Sequence, residues 1–259
     1  MAFLRYQYTK KSKSFKLEVN FMENCLNLQS YLISGVDVYI KLFRSASPFI
    51  FLSEEPIPDY KLKILDVVFK CATVTLDPGV NLNHKKQIHE TPARYLINRS
   101  HVTQNVVPKG SIEFFWDSMF PKALPSKVVF GPVSQKAANG DYTTNPFNFQ
   151  DFNMSEVNRK INGVDIYGSP LKLDFGDSRN YTTAYVRRFD ICEKWNKDAG
   201  LSISLGRKGY TLIGFSFEPN DFQEDFLNLV KHEHARLEMR FKQPIFEIIT
   251  LMQPMQTLQ

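Results

Sequence analysis

Arg236-Leu237-Glu238-Met239-Arg240-Phe241-Lys242 alternates strictly between charged and apolar side chains. Successive Cβ atoms of a strand point to opposite faces, so a period of two gathers Leu237, Met239 and Phe241 on one side and the charges on the other. A strand built this way needs a second apolar layer over its uncharged face. Working outward, Thr211, Ile213, Phe215 and Phe217 share one face of another extended run, with Leu212, Gly214 and Ser216 opposite. Val36, Val38, Ile40 and Leu42 alternate with Asp37, Tyr39, Lys41 and Phe43. The near-continuous apolar runs at 64–68 and 128–130 read as strands covered on both sides.

Turn signals punctuate these runs: Asp77-Pro78-Gly79, Val107-Pro108-Lys109-Gly110, Asn139-Gly140-Asp141, Asn162-Gly163 and Gly168-Ser169-Pro170. They supply positive φ, or proline's fixed φ, where the chain reverses. From Tyr60 onward eight extended segments follow, at 60–77, 94–107, 110–116, 126–134, 147–158, 161–167, 209–218 and 236–252. Two short helices are predicted. One covers residues 80–90; the other carries Phe222, Phe226, Leu229 and Val230 at helical spacing, with Asp221 and Glu224 as a capping pair. Many strands, Pro/Gly turns and few helices predict an all-β fold, and eight strands fit a jelly-roll β-sandwich.

The acidic, two-proline stretch at 53–59 is the predicted linker. Residues 1–52 offer at most three strands (3–8, 15–21 and 31–43), too few for independent stability. They are expected either to dock on the domain at 60–259 or to close a domain whose start is absent.

Composition permits a sizeable core: 43% of the 259 residues are hydrophobic and 14% aromatic. The net charge of +5 is too small to specify nucleic-acid binding. Lys10, Lys11, Lys13 and Lys16 lie among Tyr6, Tyr8 and Phe15, but lysines guarding a solvated strand edge account for the same pattern. Cys25, Cys71 and Cys192 are far apart and odd in number, which suits buried thiols in a reducing compartment; Cys71, in the run 67–74, is expected to be packed. The N-terminal residues lack an apolar signal core, and no run is long enough for a membrane span. Three glycosylation sequons, at Asn98, Asn153 and Asn180, are read as chance matches without such a signal.

No constellation rises to a catalytic, metal or cofactor site. His232-Glu233-His234 is the one close histidine pair, and it has neither the HExxH spacing nor a clear third ligand. His84 and His89, beside Lys85, Lys86 and Glu90, are five residues apart rather than four, which reads as a solvated face. GxSxG, GxxxxGK[ST] and GxGxxG are all absent; Gly110-Ser111 and Gly168-Ser169 merely flank turns. The expectation is a non-enzymatic protein with no small-molecule substrate.

Several stretches, taken in order, resemble the major capsid protein (hexon) of Polinton/Maverick elements and the related adintoviruses. They begin with Tyr31-Leu32-Ile33-Ser34-Gly35-Val36-Asp37-Val38-Tyr39-Ile40-Lys41-Leu42-Phe43-Arg44-Ser45, Tyr60-Lys61-Leu62-Lys63-Ile64-Leu65-Asp66 and Ala93-Arg94-Tyr95-Leu96-Ile97-Asn98-Arg99. Pro125-Ser126-Lys127-Val128-Val129-Phe130-Gly131, Asn145-Pro146-Phe147-Asn148-Phe149 and Asn162-Gly163-Val164-Asp165-Ile166 follow. Gly209-Tyr210-Thr211-Leu212 and Arg236-Leu237-Glu238-Met239-Arg240-Phe241 complete the set.

The resemblance implies a double jelly-roll subunit, three of which form a pseudo-hexagonal capsomer tiling an icosahedral virion shell. Under it, residues 1–52 are the closing strands of the first jelly roll and 60–259 the second. The partners it implies are a homotrimer, neighbouring capsomers, and penton or minor capsid proteins, with no specific nucleic acid. Two departures, a start far inside the family pattern and an end at 252–259 without an acidic, aromatic tail, imply an N-terminally truncated copy, an endogenous viral remnant in an animal genome. Localisation is then the virion, or otherwise intracellular. The alternative weighed beside it is a ligand- or glycan-binding β-sandwich with Trp116, Trp195 or Tyr167 lining a groove; a metalloenzyme on a cupin-like scaffold is a third. Association is also expected, through the apolar run at 36–42.

Overall fold

The computed structural model describes residues 13–19, 31–55, 58–95, 97–120, 124–166, 168–176, 180–191, 211–217 and 233–258. The described strands are, in chain order, β1 (Asn98–Val107), β2 (Glu113–Trp116), β3 (Lys127–Ser134), β4 (Met154–Ile161), β5 (Val164–Asp165), β6 (Leu171–Lys172), β7 (Ile213–Ser216), β8 (Ala235–Phe241) and β9 (Ile249–Leu258). Four helices are described: α1 (Ser47–Ile50), α2 (Pro78–Glu90), α3 (Gln135–Ala138) and α4 (Thr182–Ile191).

The alternation in β8 does what its period dictates. Leu237, Met239 and Phe241 are buried, while Arg236, Glu238 and Arg240 face outward. Leu237 lies opposite Trp116 on one side and Arg159 on the other; Met239 lies between Phe114 and Val157. The strands form two antiparallel sheets packed as a sandwich, one in the order β1-β9-β3-β7 and the other β2-β8-β4-β5, with β6 also pairing with β4. The pairing is nested: β1 joins β9, β2 joins β8, β3 joins β7, and β4 joins β5 and β6. Both sheets contribute to one core, in which Val128, Phe130, Ile213 and Phe215 meet Met154, Val157, Leu237 and Met239. Phe130 and Phe215 stack with centroids 5.9 Å apart. Burying each such side chain stabilises the fold by about 1.5–3 kcal/mol.

Local chemistry fixes the corners. Asn162 and Gly163 both take positive φ, 50° and 83°, as a two-residue hairpin turn between β4 and β5 requires. At Gly131 in β3 a Cβ would stand 2.6 Å from Phe149 Cδ1 and 2.7 Å from Leu212 Cδ2. Gly131→Ala is therefore expected to cost about 1–3 kcal/mol, because both neighbours must shift; the midpoint of urea unfolding measures this.

After β3, Lys136 on α3 lies 3.3 Å from the Asp141 carboxylate, which also accepts from the Thr143 N–H at 2.8 Å and from the Thr143 hydroxyl. The Thr143 hydroxyl does most to hold Asp141 below its ordinary value of 3.8, with Lys136 adding to it and burial opposing. A lowered folded-state pKa contributes stability that is present above the unfolded value and lost as pH falls through the folded one. The Asp141 contribution should thus be constant above its ordinary pKa and fade only in stronger acid. Titrating the Asp141 carboxyl carbon by NMR tests this: a midpoint at or above 3.8 contradicts it.

Several expectations are corrected. The segment 60–77, read as a strand with both sides covered at 64–68, joins no ladder, and Ile64, Leu65, Val67 and Val68 are exposed. Residues 36–42 likewise form no strand, nor do the described residues 15–19. Strand propensity alone does not make a strand; ladder partners and a covering layer do. Cys71 is exposed rather than packed. The segment read as continuous over 236–252 is two strands, β8 and β9, and β9 runs on to Leu258, past the predicted end at 252. β4 starts later than the predicted 147–158, because Phe152 and Asn153 turn with positive φ just before it. The helix predicted at 80–90 is present as α2, and the Asp77-Pro78-Gly79 signal is its cap: the Asp77 carboxylate accepts from the Gly79 N–H at 2.8 Å. The helix predicted around Phe222–Val230, in 222–230, and strand 3–8 lie outside the described residues.

Candidate functional site

Three features of the described residues stand out, two on the surface and one in the core. The first is the outer face of the β2-β8-β4 sheet. Alternation on β8 places Arg236, Glu238 and Arg240 there, and the register brings them beside residues of β2 and β4. Arg240 Nε lies 3.0 Å from Glu113 and its Nη1 3.8 Å from Glu156. Arg236 Nε is 3.2 Å from Asp117 and 3.3 Å from Glu238, which also pairs with Lys160 at 3.0 Å. The Arg236 guanidinium stands over the Phe115 ring, 4.7 Å from its centroid. These cross-strand charges fix register and keep the face wet; such half-exposed pairs each contribute at most about 1 kcal/mol.

The second surface is the segment preceding the sandwich. Part of it is anchored: Phe49 of α1 meets Phe147 edge-to-face at 5.8 Å, and the Ser53 N–H donates to the Tyr142 carbonyl at 2.7 Å. Phe51 meets Tyr60 in the same manner at 6.3 Å. Elsewhere sparse side-chain contacts hold the extended runs side by side. Arg44 Nη1 donates to the Leu62 carbonyl at 2.9 Å, Lys70 pairs with Glu18, and the Tyr95 hydroxyl bridges the Ile33 N–H and the Tyr31 carbonyl at 3.1 Å each. Both faces stay open: Val36, Val38, Ile40 and Leu42 are exposed, and so are Tyr39 and Phe43. A groove of about 590 Å³ runs between Val36, Val38, Ile88, Tyr95 and Ile97. Exposed apolar surface of this extent is uncommon on a folded monomer.

The third is internal. Arg159 of β4 is 1% exposed, seated among Phe217, Phe215 and Phe120 with centroid distances of 4.6, 5.2 and 5.6 Å. Its Nη2 donates to Met119 Sδ at 3.4 Å. Three rings around one guanidinium bind it through their quadrupoles and tie β4 of one sheet to β7 of the other. Sequence reasoning missed this residue, since the cationic head stands in a position that alternation reserves for apolar side chains.

The other residues weighed from sequence are scattered. His234 shares a hydrogen bond with Ser118 Oγ at 3.1 Å, and its N–H donates to Asn162 Oδ1; His232 lies outside the described residues. His84 and His89 are exposed on α2. Lys13 and Lys16 are exposed, whereas Lys10, Lys11, Cys25 and Cys192 lie outside the described residues. Trp116 is half-buried and packs on the core; Trp195 and Tyr167 are also outside the described residues. Among the described residues no three His, Cys, Asp or Glu side chains gather as metal ligands, and no helix is long and apolar enough to cross a membrane.

No protein-family profile matches the chain. An uncharacterized protein of Caenorhabditis elegans is similar to it, at 24% identity over 233 residues, which cover 88% of this chain and 55% of that protein. The chain thus spans about half the length of the curated relative it matches.

Proposed function

We propose that the chain is a structural capsid protein, or an endogenous remnant of one, whose sandwich is the second jelly roll of a double jelly-roll subunit. The strand order carries this reading. One long antiparallel ribbon, rolled up so that its first strand lies beside its last, gives nested pairs distributed alternately between two sheets. The pairs β1·β9, β2·β8, β3·β7 and β4·β6 follow that rule. The ordered resemblance of residues 31–241 to Polinton/Maverick and adintovirus capsid proteins points the same way. So does the extended, apolar segment ahead of the sandwich, which the reading explains as closing strands of a first jelly roll. In this function no group reacts: rigid bricks pack side by side in rings of threefold symmetry.

Negative-stain imaging of the purified chain tests the proposal. Threefold particles of hexagonal outline are expected, alone or after addition of a polypeptide supplying the first jelly roll. Isolated monomers under both conditions would overturn it.

A further inference from the structure

The segment 36–42 is complementary to itself. Reversed about Tyr39, Val36 falls opposite Leu42, Asp37 opposite Lys41, and Val38 opposite Ile40. Two such segments laid antiparallel would pair an acid with a base twice and match apolar side chains along one face. Residues 36–42 join no ladder among the described residues and have exposed side chains, so the strand pattern written in their sequence has no sheet there to complete. An unpaired strand of this kind is a template for another chain.

Charge does not oppose self-association: Asp37, Asp59 and Asp66 are interspersed with Lys41, Arg44, Lys61, Lys63 and Lys70 across this segment and the runs that follow it.

We infer that residues 36–42 form an antiparallel β-ladder with the same residues of a second copy, across a twofold axis at Tyr39. The contact is isologous, each copy giving Asp37 to the other's Lys41. Register is set twice over, by the charge pairs and by the apolar face, since a slip of one residue would put Val38 against a charge. This pairing does not rest on the capsid reading, which assigns the same residues to a first jelly roll and so gives them a different ladder partner.

Charge reversal on the full chain tests it, with sedimentation equilibrium as the readout. Wild type is expected to form dimers or even-numbered assemblies. Asp37→Lys or Lys41→Asp alone sets like charges face to face at both pairs and should weaken association about tenfold or more. The double variant Asp37→Lys/Lys41→Asp restores opposite charges and should recover wild-type association. All these residues lie outside the sandwich, so thermal unfolding of the core should be unchanged. With Cys25, Cys71 and Cys192 all changed to Ser as background, Tyr39→Cys should cross-link to itself under mild oxidation.

A monomeric wild type overturns the inference, as does association insensitive to either single reversal or failure of the double variant to recover. A trimer lost on single reversal would overturn the twofold arrangement while leaving the capsid proposal standing. Conversely, twofold pairing without threefold particles would sustain the inference and remove the capsid proposal.

Discussion

Leu237→Asp is expected to abolish the folded sandwich, whereas Arg240→Leu, three residues along the same strand, should scarcely affect it. Leu237 is 0% exposed, between Trp116 and Arg159. Aspartate there removes the packing of a full leucine and places a carboxylate within the core. Together these cost about 4–5 kcal/mol or more. Small domains are stable by only about 5–15 kcal/mol, so the variant should be largely unfolded. The nearby Arg159 guanidinium would soften the loss only if it could leave its aromatic seat. Arg240 is more than half exposed, and its pairs with Glu113 and Glu156 are screened by water. Losing them should cost under about 1 kcal/mol. Circular dichroism in urea separates the two outcomes; a cooperative transition near the wild-type midpoint for Leu237→Asp would contradict the strand's assigned faces.

Arg159→Ala should be nearly as damaging, at about 3–5 kcal/mol. The substitution empties a space bounded by Phe120, Phe215 and Phe217, and the surrounding β-sheets can collapse into it only in part. It also removes a cation held over three ring faces, each such contact being worth about 0.5–2 kcal/mol. Arg159→Met keeps most of the volume and should recover part of the loss. An alanine variant within about 1 kcal/mol of wild type would show that the guanidinium is not seated among the rings.

How legible this fold is depends on where each residue's partner lies. β8 and β3 could be read directly, because one states its faces in its own alternation and the other carries the apolar run at 128–130. The two-residue turn at Asn162-Gly163 was equally plain, since few other pairs accept positive φ twice. β9 was obscured by Pro254 and by the apolar Phe246 and Ile248 before it, which made loop and strand look like one run. What defines β9 is its ladder with β1, some 150 residues away, and no local pattern encodes that.

The opposite error arose at 60–77, where residues fit for a strand join no ladder among the described residues. α4 was missed for another reason. Its inward positions Ala184, Arg188 and Ile191, continued backward by Tyr181 just before the helix, keep helical spacing, but an arginine replaces one apolar member and hides the stripe. Buried arginines among aromatics thus concealed both this helix and the seat of Arg159. The segment proposed for self-pairing was legible in part: the alternation at 36–42 announced an apolar face, while its standing outside any ladder of the described residues required the coordinates.

The nesting of β1 with β9 has a consequence for how the protein is made. β9 stands between β1 and β3 and is synthesised after both of them. Until it arrives, neither neighbour has its central partner, and the growing chain carries two open edges and an uncovered apolar layer. Such distant pairing makes folding slow, and nascent chains of this kind are the ones chaperones must shield from their neighbours on the same message.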